Sequence, residues 1–213
     1  MTERHFTTPL PIIAAVSSTV VRTIDRLVGD RFRCPLLVSF AVVECLDYLG
    51  IKADAYYGRA AWVEVLKDHR LAWVGAWDED QPHFWVQTQS GEIIDLNLSA
   101  SSRDRSNGAL YSPPMIWSSR LPKFVRYSPL GVAEFAAPAP DREEEKPAFL
   151  ALEEIRRLIR EMPIAENLED GAGFADEPIL VSDQRVLDDS RGTFRAFDRA
   201  VSAGNLEPPP TFS

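Results

Sequence analysis

Three residues in this chain have the types and order of a nucleophile, a base and an orienting carboxylate: Cys34, His83 and Asp95. A thiol at the start of a buried helix feels the positive end of the helix dipole and the unsatisfied N–H groups of the first turn, which favour thiolate. His83 opens one expected strand and Asp95 lies in the next, with a turn at Ser90-Gly91 between them. If residues 89–92 form the hairpin loop, positions 83 and 95 stand symmetrically about residue 89 and nearly opposite each other. The carboxylate then holds one imidazole nitrogen while the other serves the thiol. Such a set attacks a carbonyl carbon and hands the proton on.

The elements that must position these groups follow from periodicity. Ile13, Val16, Val20, Ile24, Leu27 and Val28 predict an amphipathic helix over about 12–28, ended by Gly29-Asp30. Pro35 stands where a first helical residue often stands, Leu36 to Leu46 is apolar almost all round, and Leu49-Gly50 is a stop signal. That pattern makes the second helix the central one, with Cys34 as its N-cap or first residue. After Gly50 the period changes to that of strands: 51–58, 60–65, 71–77, 83–88 and 93–98, with turns at 78–82 and 89–92. Residues 101–131 read as a long loop with one strand at 123–127, and a helix is expected over 147–161. Beyond Pro163 the pattern weakens, and the last residues read as frayed. Helices followed by a run of antiparallel strands make the fold class α+β.

Composition bounds the rest. The 213 residues carry 23 Lys plus Arg against 32 Asp plus Glu, a net charge of −9, which argues against nucleic acid or an anionic membrane surface as partner. No apolar stretch reaches the roughly 20 residues of a membrane span. The first six residues lack the features of a secretory signal, so a cytoplasmic location is expected. Cys34 and Cys45 would lie on one helix about 16 Å apart along its axis, too far for a disulfide. Residues 139–213 hold 17 acidic and 9 basic side chains, whereas 1–138 are nearly neutral and contain all five tryptophans. The Pro- and Glu-rich stretch 136–147 therefore divides a catalytic or binding unit, 1–138, from an acidic helical extension and tail, 139–213.

The block from Cys34 to Gly50-Ile51, then Tyr57-Gly58, then His83-Phe-Trp-Val-Gln and Gly91-Glu-Ile-Ile-Asp95, resembles the transglutaminase-like branch of the papain-like cysteine fold. The resemblance spans roughly residues 30–98. It implies a core helix carrying Cys34 packed on an antiparallel sheet, with Cys34 as nucleophile, His83 as general base and acid, and Asp95 as orienter. It also implies acyl chemistry on a peptide or protein amide by a peptidase, deamidase or acyl transferase, with no metal or organic cofactor. Two departures stand out. Pro35 follows Cys34 and has no N–H for an oxyanion, and in Ala60-Ala61-Trp62-Val63-Glu64 an alanine fills the histidine place of a His-Ala-Trp-Val-Glu motif.

Plainer readings exist for each residue. Cys34 can be a buried thiol, and Cys45 reads as core packing. His83 can end a strand, His69 suits a solvated turn, and His5 sits near the terminus. Trp62, Trp73, Trp77 and Trp85 read as core or groove lining. The alternative function is accordingly a catalytically inactive scaffold or protein-binding module of the same fold. A three-ligand Cys-His-Asp metal site is a third possibility.

Overall fold

The computed structural model describes residues 7–76, 82–98, 109–111, 113–161 and 194–212. Helix α1 (Leu10–Leu27) buries Ile12 to Val21 and Ile24 and ends at Gly29, whose φ of 105° the left-handed region allows. A 3₁₀ turn (Arg31–Arg33) leads into α2 (Pro35–Tyr48), which has proline in its first turn. Its end closes as a Schellman motif. Gly50 takes φ 74°, Ile51 N–H donates to Leu46 O at 2.8 Å and Gly50 N–H to Asp47 O at 2.9 Å.

A long strand, β1 (Ala53–Leu66), organises a curled antiparallel sheet with β2 (Leu71–Ala76), β3 (His83–Thr88), β4 (Ile93–Ile94), β5 (Ala109–Tyr111), β6 (Ile116–Trp117) and β7 (Val125–Val132). Along one edge of β1, β3 pairs with residues 53–58 and β2 with 60–65. Along the other, β7 pairs with 56–62 and β5 with 65–66. From β3 the sheet continues through β4 to β6. The expected pieces 51–58 and 60–65 are thus one strand, while β5 and β6 fall in the stretch read as loop.

Helices α1, α2 and α3 (Lys146–Arg160) share one apolar cluster with Val86, Ile94, Leu96 and Ile116 of the sheet region. Arg156 of α3 donates twice to Glu44 of α2, at 3.1 and 2.7 Å, and Arg26 of α1 donates to Glu154 at 3.1 Å. A second cluster joins Trp62, Trp85, Trp117 and Phe124 to Phe197 and Val201 of α4 (Phe194–Ala203). Among the described residues, no helix is long and apolar enough to cross a membrane.

Two glycines let the strands approach. Gly58 pairs with His83 on one side and Pro129 on the other, beside a register shift in β7, and a Cβ there would lie 2.3 Å from Ser128 O. Gly75 has φ 146°, and its Cβ would lie 2.2 Å from Ala60 O. Both obstacles are backbone atoms, which move only if the strands part. Gly58→Ala is therefore expected to cost about 1–3 kcal/mol, read as a lowered urea midpoint. An unchanged midpoint would show that β7 relaxes freely there.

Candidate active site

His83 is the first residue of β3, placed where the edge partner of β1 changes from β3 to β2. Its Nε2 lies 2.6 Å from Oδ2 of Asp95, whose side chain is fully buried. The hairpin that joins them is registered differently from expectation. Gln87 pairs with Ile93 and Val86 with Ile94, so His83 would stand across from position 97, and β4 stops at Ile94. Asp95 sits just past the strand, on a turn, and meets His83 as a diagonal neighbour. The tight loop behind this register is fixed by bonds about Thr88 and the buried Glu92. Thr88 N–H donates to Glu92 O at 2.9 Å, Thr88 Oγ1 to Glu92 Oε2 at 2.8 Å, and the N–H groups of Thr7 and Thr8 to Glu92 Oε1 at 2.5 and 2.7 Å.

Asp95 is held from several directions. Its N–H donates to Met115 O at 2.7 Å, Asn97 N–H donates to its Oδ1 at 3.1 Å, and Tyr127 Oη–H donates to the same Oδ2 that His83 uses, at 2.8 Å. Asn97 also donates from Nδ2 to Phe84 O at 3.3 Å, tying the turn back to β3. A carboxylate surrounded by donors accepts from His83 as well, so the ring proton is assigned to Nε2 and the lone pair to Nδ1. Trp62 and Trp85 flank the imidazole, with centroids 5.4 and 6.4 Å away, and Trp85 packs against Tyr127 at 5.0 Å. Burial and the adjacent Asp95 charge push the Tyr127 phenol well up, so it stays a proton donor.

Cys34 is the N-cap of α2, half-buried, as the helix stop and start signals indicate. Its thiol does not cap the helix. It turns back on the 3₁₀ turn, with Sγ 3.5 Å from Arg31 O and 4.0 Å from Asp30 O. Burial, together with Asp25 and Asp30, pushes the thiol up, opposite to the depression expected from the helix dipole. The physical reason is local: carbonyl oxygens stabilise the S–H form, two carboxylates disfavour thiolate, and Pro35 has no N–H to offer. The turn before Cys34 is nonetheless tied to the turn at Asp95. Arg31, buried and paired with Asp25 at 2.6 Å, donates from Nε to Leu96 O at 3.4 Å. No hydrogen bond joins Cys34 to His83.

Cys45 is buried, and burial with the Glu44 charge pushes its thiol far up. It lines a pocket of about 230 Å³ between α2 and α3 with Tyr48, Arg156 and Arg160, away from the imidazole. Trp62 and Trp85 are core residues, and Trp73 donates its N–H to Glu207 O at 3.1 Å. His69 lies in an exposed turn with φ 60°. His5, Trp77 and most of the turn at 78–82 lie outside the described residues. Among the described residues, no group of three His, Cys, Asp or Glu side chains is placed to hold a metal. Sequence reasoning missed Tyr127, Asn97 and Arg31. Only Asn97, two residues after Asp95, had a local signal, the Asx-type turn.

No family model, curated protein or solved structure matches this chain.

Proposed function

We propose that this protein is a cysteine-nucleophile acyl-chemistry enzyme of transglutaminase-like, papain-like design, acting on a peptide or protein amide. The observation that carries the reading is the buried His83–Asp95 pair, with Nε2 committed to the carboxylate and Nδ1 left as the basic nitrogen. Cys34 supplies the nucleophile from the start of α2, on a turn that Arg31 anchors beside Asp95. Proton transfer from Cys34 to His83 Nδ1 creates thiolate and imidazolium. Sγ then bonds to the amide carbon, and the imidazolium gives its proton to the departing amine. Water attacks the thioester, loses a proton to His83, and regenerates the thiol with release of acid. An amine in place of water makes the same cycle a transfer. The reaction needs no redox partner, and a reducing, cytoplasmic setting would keep the thiol free.

The resting thiol, bonded to carbonyls rather than to the imidazole, favours a second reading in which the same fold is an inactive scaffold or binding module. Alkylation separates the two. With Cys45→Ala in every variant, iodoacetamide labelling of Cys34 followed by intact mass is expected to slow at least tenfold at pH 7 on His83→Ala, the low end of general-base effects being about 100-fold. Equal rates in the two proteins, rising only above the ordinary thiol range, would leave the scaffold reading standing.

A further inference from the structure

We infer that Tyr127 is a positioning residue that sets the proton affinity of His83 by sharing Oδ2 of Asp95 with it. The inference rests on the reading of His83 as the base for its purpose, though not for its test. Two donors converge on one carboxylate oxygen, Nε2 at 2.6 Å and Tyr127 Oη at 2.8 Å, while the other oxygen takes Asn97 N–H at 3.1 Å. A carboxylate oxygen that already accepts from a phenol has less negative charge to offer an imidazolium. Tyr127 therefore moderates the pull of Asp95. The share of Oδ2 taken by the phenol is unavailable to the imidazole, whose Nδ1 is the nitrogen turned away from the carboxylate.

The placement of Tyr127 is specific. It pairs with Ala60 on β1, whose small side chain leaves room above the sheet, and its ring is held by Trp85. The other ionisable groups on the surrounding elements are Asp54, Tyr56, Tyr57, Arg59 and Glu64 on β1, Arg126 on β7, Arg31 and Arg33 on the 3₁₀ turn and the Cys34 thiol at the head of α2; Glu64 accepts from Trp62 Nε1 at 3.3 Å and Arg31 donates to Leu96 O at 3.4 Å. On Oδ2 itself the donors are His83 Nε2 and Tyr127 Oη.

The test is a titration of the His83 ring by NMR, made on Cys34→Ala protein so that it is independent of any thiol chemistry. On Tyr127→Phe, which keeps the ring and removes only the donor, the Nε2–H resonance should move downfield. The titration midpoint should rise by about 0.5 pH unit, a fraction of the one to two units equivalent to a lost charge-assisted hydrogen bond. In an Asp95→Asn background the same substitution should move the midpoint much less, because the amide oxygen that replaces Oδ2 carries no charge for Tyr127 to moderate. A more acidic fluorotyrosine placed at 127 should lower the midpoint and serves if the phenylalanine variant folds poorly. An unchanged midpoint in Tyr127→Phe, or an equal shift with and without the carboxylate, overturns the inference. Loss of His83-dependent alkylation with the NMR shift intact would instead count against the acyl-transfer reading alone.

Discussion

Replacing Asp95 by alanine should cost roughly 3–5 kcal/mol, the scale of leaving several buried donors without their acceptor. The side chain is fully buried, and its loss strands three donors at once: His83 Nε2, Tyr127 Oη and Asn97 N–H. Each buried donor left without an acceptor is worth about 1–3 kcal/mol, and water reaching the new space would recover part of that. Asp95→Asn should cost markedly less. Its amide oxygen still serves His83 and Tyr127, and only the NH2 group meets the wrong partner, Asn97 N–H. Urea unfolding of the three proteins measures the difference. The chemical effect should run in the same order. An imidazole freed from Asp95 no longer has a fixed tautomer, and labelling of Cys34 should fall toward the His83→Ala rate. A stable Asp95→Ala protein with wild-type labelling would mean that the pair neither holds the fold nor orients the base.

How far this site was legible depends on which forces act locally. The head of α2 was readable because Pro35, the all-round apolar run to Leu46 and the glycine stop are each local signals. The His83–Asp95 pair was readable for a subtler reason. The expected hairpin was centred on residue 89, whereas the observed pairs Gln87 with Ile93 and Val86 with Ile94 shift the register by two residues. A slip of two leaves every side chain on its own face, so His83 and Asp95 still share one; a slip of one would have separated them. The charge state of Cys34 was not readable. The dipole argument counts only the helix, while Asp25, Asp30 and the carbonyls of the 3₁₀ turn lie on the other side of the sulfur. Tyr127 was hidden because its partnership with Asp95 depends on β7 crossing back to pair with β1, a contact made 32 positions away in sequence. Strands of two or three residues, such as β5 and β6, are too short to show a period at all.

The same long-range logic gives α4 an effect that its composition conceals. Phe194, Phe197 and Val201 have helical spacing, but the Arg, Asp and Gly residues around them dilute the signal. Phe197 is completely buried, with its ring edge-on to Phe124 at 5.0 Å, and Phe124 in turn packs on Trp117 at 6.1 Å. Phe197→Ala should therefore cost about 3–5 kcal/mol, the range for truncating a buried aromatic. Against a typical total of about 5–15 kcal/mol, that leaves little stability in hand. Arg199→Ala on the exposed side of the same helix should stay within about 0.5 kcal/mol. Thermal and urea midpoints of the pair decide whether α4 is a structural part of the β-sheet core or an attachment. The decision bears on the site, because Phe124 and Trp117 share an apolar cluster with Trp85, whose ring packs against Tyr127 at 5.0 Å. A large loss of stability in Phe197→Ala, with Cys34 labelling slowed in the fraction that remains folded, would mean that the C-terminal helix supports the base through that aromatic layer. A large loss with labelling unchanged would confine its role to closing the core behind the sheet.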